Sequence, residues 1–580
     1  MKAEIIELGH SSFGGAAGPT AGAPAADKDL LETGLGHHRS GDLAKAETAY
    51  KRHLRKHPRD PNALHLLGLI AHERGRSSRA LQLIGKAMAE TPGDANLHHV
   101  KGYVLQGAGR LEEAAESYAQ ALKSMPDAAL SHTNLGNVLK GLGRYDEAVA
   151  HHRRAVEIDP VFAEAWSNLG LTHKARRDRD AALESFERAL ALEPGHAEFH
   201  YNFANALLSY GRVAEAAEGF ARTVTLAPGH VRAHANLGVA LKEEGRMVEA
   251  IASLRTAIAL DPADADGHWN LGLALLLDGA FEEGWREYEW RRKIPEIGVR
   301  SFDVPAWDGA PFAGKTLLIH AEQGLGDALQ FIRYARLAKE KGGTVIFECP
   351  APLMKIAASA PGIDRLTARG DAPAPFDIEV PLISLPAVLG TTAETIPADI
   401  PYLAPDAALV ARWKERLGGG AGFNIGIAWQ GNPSYKADGR RSIPLAHFAA
   451  LAGIGGARFI SLQKGHGAEQ LLGFAGGSAI TDPGADFDEA NGAFMDSAAV
   501  IANLDLVITS DSAVAHLAGA LGRETWMALP RIPDWRWGLE GETTPWYPTL
   551  RLFRQAQAGD WDAVFARLAE ALTARIEGGG

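Results

Sequence analysis

Cysteine is nearly missing: Cys349 is the only one in 580 residues. An intrachain disulfide is excluded, and nothing points to an oxidising compartment. Basic residues are in deficit, 59 Lys and Arg against 71 Asp and Glu, for a formal net charge of -12. That balance argues against a nucleic-acid polyanion as the main partner. No apolar run is long enough to span a bilayer. The opening MKAEIIELG interrupts its short apolar patch with glutamates. It makes no secretory signal, so the chain reads as cytoplasmic. Residues 10–26, HSSFGGAAGPTAGAPAA, lack the bulk to build a core and read as a flexible leader. The chain as a whole is 46% hydrophobic and 22% charged, a globular composition with length for several domains.

Prolines stand at 58, 92, 126, 160, 194, 228 and 262, each 34 residues from the last. A second column at the same spacing runs Gly34, Gly68, Gly102, Gly136, Gly170, Ala204, Gly238 and Gly272. A third runs from Ala46 through Ala250 and ends at Gly284. Period and residue types resemble the tetratricopeptide repeat. Small residues at two fixed places let paired helices approach, and proline, without an amide donor, ends the second helix. Glycines separate the paired helices at 41, 75, 109, 143, 211, 245 and 279, with Arg177 departing from that column. The ruler predicts about eight helix pairs over 27–293, stacked as a right-handed solenoid with a concave face.

A further column, Asn134, Asn168, Asn202, Asn236 and Asn270, puts side-chain amides at one repeat position. Such amides both donate and accept. Two readings stay open: a ladder that pairs with the backbone of an extended acceptor peptide, or packing between helix pairs. His151, His152, His196, His200 and His234 read as solvated or packing groups rather than metal ligands. The ruler ends at FEEGWREYEWRRK, where Trp285, Tyr288 and Trp290 predict docking on an apolar neighbour. A linker is expected over 294–312.

From Gly314 the pattern changes to short apolar strands alternating with helices. KTLLIH, TVIFECP and DIEVPL form one series; FNIGIAWQ, ARFISLQ, LDLVITSD and ETWMALP form a second. One helix is expected through ALQFIRYARLAKEKGG and another in DWDAVFARLAEALTARIE. Alternation predicts parallel sheets. The break falls near RLGGGAGF, giving two Rossmann-like halves, 313–417 and 418–580, that face each other across a cleft. Ligands of such sheets bind outside the carboxyl ends of the strands.

IHAEQGLGDALQFIRY, IGIAWQGNP, FISLQKG and VITSDSAVAHLAGALGRETW resemble the glycosyltransferases of the heptosyltransferase type, which have the GT-B fold. The resemblance covers about 313–580. Repeats joined to such a domain resemble bacterial protein glycosyltransferases, some implicated in glycosylating flagellin, and in layout the eukaryotic O-GlcNAc transferase. The fold expected is therefore multidomain, an all-α repeat solenoid followed by an α/β GT-B domain. The resemblance implies transfer of a sugar from a nucleotide-activated donor to a protein hydroxyl, with no resident cofactor and no metal.

The residues qualify that implication. In QGLGDAL a dinucleotide fingerprint needs a third glycine where Leu329 stands, and a P-loop needs Lys-Ser/Thr where Asp327-Ala328 stands. What is left is a turn over Gly324 and Gly326 with Asp327 in the first turn of a helix. Asp327 is either a plain helix cap or, as the resemblance implies, the general base for the acceptor hydroxyl. A positive helix end would lower its pKa and burial would raise it. Ser510, Asp511 and Ser512 sit where a strand gives way to a helix carrying His516, a start suited to a donor phosphate. Gln463 and Lys464, Arg441 (with Arg440), and Trp429, Gln430 and Asn432 are expected on the donor side of the cleft. Trp535, Trp537, Trp546 and Tyr547 serve either as a base or sugar platform or as core. DFD at 486–488 is too short a match to predict a metal. The rival expectations are a glycan-directed or lipid-directed enzyme and a non-catalytic scaffold.

Overall fold

The computed structural model describes residues 25–418, 422–435, 438–474, 480–489 and 491–578. Of the expected leader, only Ala25 and Ala26 fall within them. The chain divides into two units, Met1–Ala233 and His234–Gly580.

Among the described residues the first unit holds six helix pairs: α1 (Ala25–Arg39) and α2 (Leu43–Lys56), α3 (Pro61–Glu73) and α4 (Ser77–Glu90), α5 (Ala95–Gly107) and α6 (Leu111–Ser124), α7 (Ala129–Gly141) and α8 (Tyr145–Ile158), α9 (Ala163–Ala175) and α10 (Arg179–Leu192), α11 (Ala197–Ser209) and α12 (Val213–Leu226). The turn inside each pair needs a left-handed residue. Gly41, Gly75, Gly109, Gly143 and Gly211 supply it, with φ between +73° and +81°. Arg177 takes the same conformation at φ +64°, at a cost of roughly 1–2 kcal/mol. Each proline follows a helix end by two residues, as Pro58 follows Lys56.

The small column exists because a large side chain lies on it. A Cβ at Gly102 would stand 2.9 Å from the Tyr118 ring, and one at Gly170 2.9 Å from Phe186. The seated residues form their own column at the same period: Tyr50, Ile84, Tyr118, His152, Phe186 and Phe220, all 0% exposed.

In the second unit, α13 (Val231–Glu244), within which the division falls, is followed by α14 (Met247–Leu260), α15 (Ala265–Leu277) and α16 (Phe281–Tyr288). The division between the units thus falls inside the span 27–293 expected for the repeats. The reason is a shared core: Met247, Leu254, Leu271, Trp285 and Tyr288 are buried in one cluster with Leu317, Phe331, Met527 and Trp535. Trp285 meets Trp535 edge to face, centroids 5.1 Å apart at 87°. Trp290 does not join them; it stacks on His268 at 3.8 Å. The stretch expected as a linker is built in as well. Trp307 is buried, and its amide donates to the Glu379 carbonyl at 2.7 Å.

Two parallel sheets follow. The first has the order β3-β2-β1-β4, from β1 (Thr316–His320), β2 (Thr344–Cys349), β3 (Arg365–Ala368) and β4 (Ile378–Pro381). The second has the order β10-β9-β8-β5-β6-β7, from β5 (Phe423–Ala428), β6 (Ala457–Ser461), β7 (Ile480–Thr481), β8 (Leu506–Ser510), β9 (Thr525–Leu529) and β10 (Leu550–Arg554). The expected helix after β1 is two, α17 (Leu325–Phe331) and α18 (Tyr334–Glu340). At the break, Arg333 turns inward; its Nε donates to the Gln330 carbonyl at 2.9 Å and Nη1 to the Trp546 carbonyl at 2.6 Å. The helix α19 (Ala407–Arg416) leads to the second sheet, in which α20 (Met495–Ala502) precedes β8, α21 (Ala513–Ala520) follows it, and α22 (Trp561–Glu577) closes the chain.

Candidate functional site

The carboxyl end of β1 runs through Ala321–Gly324 into α17. Gln323 holds φ +57°, and its amide donates to the Tyr288 hydroxyl at 3.0 Å. The Gly324 amide donates to Asp327 Oδ2 at 2.8 Å, so Asp327 does cap its own helix. Its other oxygen takes the Arg536 guanidinium. Arg536 is 8% exposed and is fixed by Asp534 Oδ1 at 2.8 Å and Gln330 Oε1 at 2.5 Å. Burial raises the pKa of Asp327, against the pull of Arg536 and the Gly324 amide.

The carboxyl end of β8 supplies the opposing elements. Ser510 is buried, and its Oγ has no partner among the described residues. Ser512 occupies the N-cap position of α21 but does not cap it; its hydroxyl lies 3.2 Å from Thr509 Oγ1. The first amides of α21 are thus left without a side-chain cap. Burial, then Asp534, push the Asp511 carboxyl up to about 6, while Arg441 and Arg536 oppose them. His516 Nδ1 lies 3.0 Å from the Tyr547 hydroxyl. Burial, with Arg536, Arg333 and Arg441, holds His516 far below its ordinary range and therefore neutral.

These two strand ends meet. A Cβ on Gly326 would stand 3.0 Å from His516 Cδ2 and 3.6 Å from the Ala513 Cα. A side chain at 326 would have to push His516 away by a few tenths of an ångström, so the glycine eases that approach between α17 and α21. Asp327, Asp511, Ser512 and His516 therefore share one region, joined through Arg536 and Asp534.

The other expected donor-side residues divide. Arg441 faces Asp511 while its Nε is held by Asp438 at 3.1 Å. Trp429 is a correction: it is 0% exposed in the core of the second sheet, its indole bonded to the Gly467 carbonyl at 3.1 Å. Gln463 is consumed within the fold, accepting from the Trp429 and Gln430 amides and donating to the Gln430 and His466 carbonyls. Gln430 itself is half-buried, its Oε1 without a partner among the described residues. Asn432 folds back on Ser434. Lys464 pairs with Glu489 at 2.6 Å and bonds to the Phe487 carbonyl. Trp535, Trp537, Trp546 and Tyr547 are buried as core beside the last repeats. In the DFD segment, Asp486 pairs with Arg416 and Asp488 binds the Ser497 hydroxyl. No group of three or more metal-ligating side chains occurs among the described residues.

The asparagine column also divides. Asn134 is a correction, since it is 1% exposed and its Nδ2 lies 3.3 Å from His99 Nε2. Asn270 donates to the Asp266 carbonyl one turn back, at 2.9 Å. Asn168, Asn202 and Asn236 are half-buried. An open depression of about 370 Å³, lined by Phe281, Arg286 and Glu394 among others, includes none of the expected residues.

Arg536 and Asp534 were not anticipated. The signal for them is IPDWRWG, in which one arginine sits between two tryptophans just after a strand. A charge embedded in buried aromatics needs a buried partner.

Family models for the tetratricopeptide repeat match residues 31–95, 93–160 and 167–231, and a TPR repeat model matches 238–279. The N-terminal half of this chain consists of tetratricopeptide repeats. The chain is 30% identical over 330 residues to Protein FlbA of Caulobacter vibrioides, covering 51% of this chain and 52% of FlbA. It thus spans about half the length of that relative. Among solved structures, a tetratricopeptide repeat protein from Parabacteroides merdae is 18% identical, covering 43% of this chain and 100% of that one, with a TM-score of 0.37. YrrB, a TPR protein with an unusual peptide-binding site, is 26% identical, covering 32% of this chain and 95% of its own, with a TM-score of 0.27. Among the described residues no helix is long and apolar enough to cross a membrane.

Proposed function

We propose that the α/β region is a GT-B glycosyltransferase that moves a sugar from a nucleotide-activated donor to a Ser or Thr hydroxyl of an acceptor protein. The repeats hold that acceptor, and flagellin is the acceptor class suggested by the resemblance of the motifs. The observation that carries this reading is the meeting of Asp327 from one sheet with the uncapped start of α21 from the other, across Gly326 and His516. In the proposed step Asp327 takes the proton of the hydroxyl. The hydroxyl oxygen bonds to the anomeric carbon as the bond from that carbon to the phosphate oxygen breaks. The electron pair leaves on the phosphate, where the amides of α21 offset it. Lys464, engaged by Glu489, is the less available cation. A carboxylate raised by burial is a stronger base than a solvated one, and Arg536 opposes that rise.

A second reading, a scaffold with an idle site, is favoured by one observation: both oxygens of Asp327 already accept from the protein. Each oxygen retains a further lone pair, so the base role survives that geometry. Purified protein is incubated with nucleotide sugars and either flagellin or a glycan acceptor, and the mass of each acceptor is followed. The reading expects a sugar-sized gain on the acceptor that disappears in Asp327→Ala. A gain only on a glycan acceptor overturns the protein acceptor. Neither transfer nor donor hydrolysis favours the scaffold.

A further inference from the structure

The end of α13 reaches the same region from the repeat side. Glu243 pairs with Arg440 at 2.9 Å. A Cβ at Gly245 would stand 3.1 Å from Ile532 Cδ1, so the loop that carries Asp534 lies against this helix end. Lys242 sits at the same place, half-buried, with Glu243, Asp534 and Arg440 acting on its charge. Each neighbouring guanidinium has a carboxylate of its own: Arg440 has Glu243, Arg441 has Asp438, and Arg536 has Asp327 and Asp534. No such pair forms at Lys242 among the described residues, and burial draws its ammonium below the ordinary range. A partly desolvated cation without a counter-charge at contact distance is disfavoured unless something else supplies one.

We propose that Lys242, a residue of the repeats, is a binding residue of the candidate site and takes the phosphate groups of a nucleoside diphosphate. This inference rests on the glycosyltransferase reading and names a ligand contact for it. A lysine suits the task as a compact point charge with three donors. Asp534, whose charge acts on Lys242, acts also on Asp511, which lies between the unpartnered Ser510 hydroxyl and the uncapped start of α21, and a diphosphate bound there would meet all three. The repeats would then complete the donor site as well as hold an acceptor.

The test uses the full chain and titration calorimetry with uridine, guanosine and adenosine diphosphate. For a diphosphate that binds the wild type, Lys242→Met is expected to weaken binding about tenfold or more, and Lys242→Arg to restore most of it. Binding of the parent nucleoside should not change. Unchanged diphosphate affinity in Lys242→Met overturns this inference and leaves the glycosyltransferase reading standing. If none of the three binds the wild type, both fall. A second measurement needs no variant: the bound diphosphate should protect Lys242 of the wild type from amine acylation, mapped by mass. Equal labelling with and without ligand overturns the contact even if Lys242→Met fails to fold.

Discussion

In the unit that ends at Ala233, buried polar groups close on one another. His99 Nδ1 lies 2.8 Å from Ser131 Oγ, and its Nε2 lies 3.3 Å from Asn134 Nδ2. His132 and His151 meet at 2.9 Å. Where closure fails among the described residues, it fails at scattered places, among them Asn137, Tyr210 and the packing slot at 152. Neither ring nitrogen of His152 has a partner among the described residues, and sister repeats put Tyr, Ile or Phe there. In the unit that begins at His234 some of the unmatched groups lie by the candidate site. Among the described residues the Ser510 hydroxyl and the Gln330 Nε2 lack partners beside a cluster of Asp327, Asp511, Asp534 and Arg536. An isolated unmatched group at a core position lowers stability. Several gathered around one helix start are what a ligand would satisfy.

Four changes would sharpen or break that contrast. The largest effect belongs to Asp327→Asn. It should lower transfer by about 10²- to 10⁴-fold, the usual scale for a general base, while thermal melting of the first unit stays as it was. Acid should act mainly on the first unit. Burial takes His65 and His99 down to about 4 and His152 to about 3, whereas the unfolded chain protonates near 6.5. Between those values the unfolded chain binds more protons, so stability falls as pH drops from 6.5 towards 4. The loss is on the order of 3 kcal/mol for each such histidine. Urea unfolding at pH 7 and pH 5, read by hydrogen exchange in each unit, would show the first unit weakening more.

Arg536→Met strands Asp327 and Asp534 and should destabilise the second unit by about 3 kcal/mol. A shift of the urea midpoint confined to that unit is expected. The smallest effect is a gain. His152→Phe puts in the slot at 152 the residue that its sisters carry at 186 and 220. It should raise the first unit's stability by about 1–2 kcal/mol at pH 7 and flatten its acid response. A loss of stability there would show that His152 has a partner the packing does not reveal.

Much of the architecture was legible because it is periodic or apolar. Prolines and glycines at 34-residue spacing marked the pairs, and the buried runs from β1 to β9 marked most strands. The column at 50, 84, 118, 152, 186 and 220 was not read, because position is constant while residue type changes. β3 is partly exposed and β10 alternates, so neither gives a continuous apolar run. Asp327 was visible as what remained after two phosphate motifs failed. Its partner Arg536 was not, since the pair closes across 209 residues and no local pattern announces it. Trp429 was misplaced for a related reason: a strand end suggested the cleft, whereas the indole turned into the core.

The central claim is that one ligand touches both sheets at once. Hydrogen exchange on the full chain, with and without a bound nucleotide sugar, tests it most directly. Joint protection of 321–330 and 508–520 at ligand saturation is predicted. Protection of one segment alone, with ligand shown to be bound, would contradict the account.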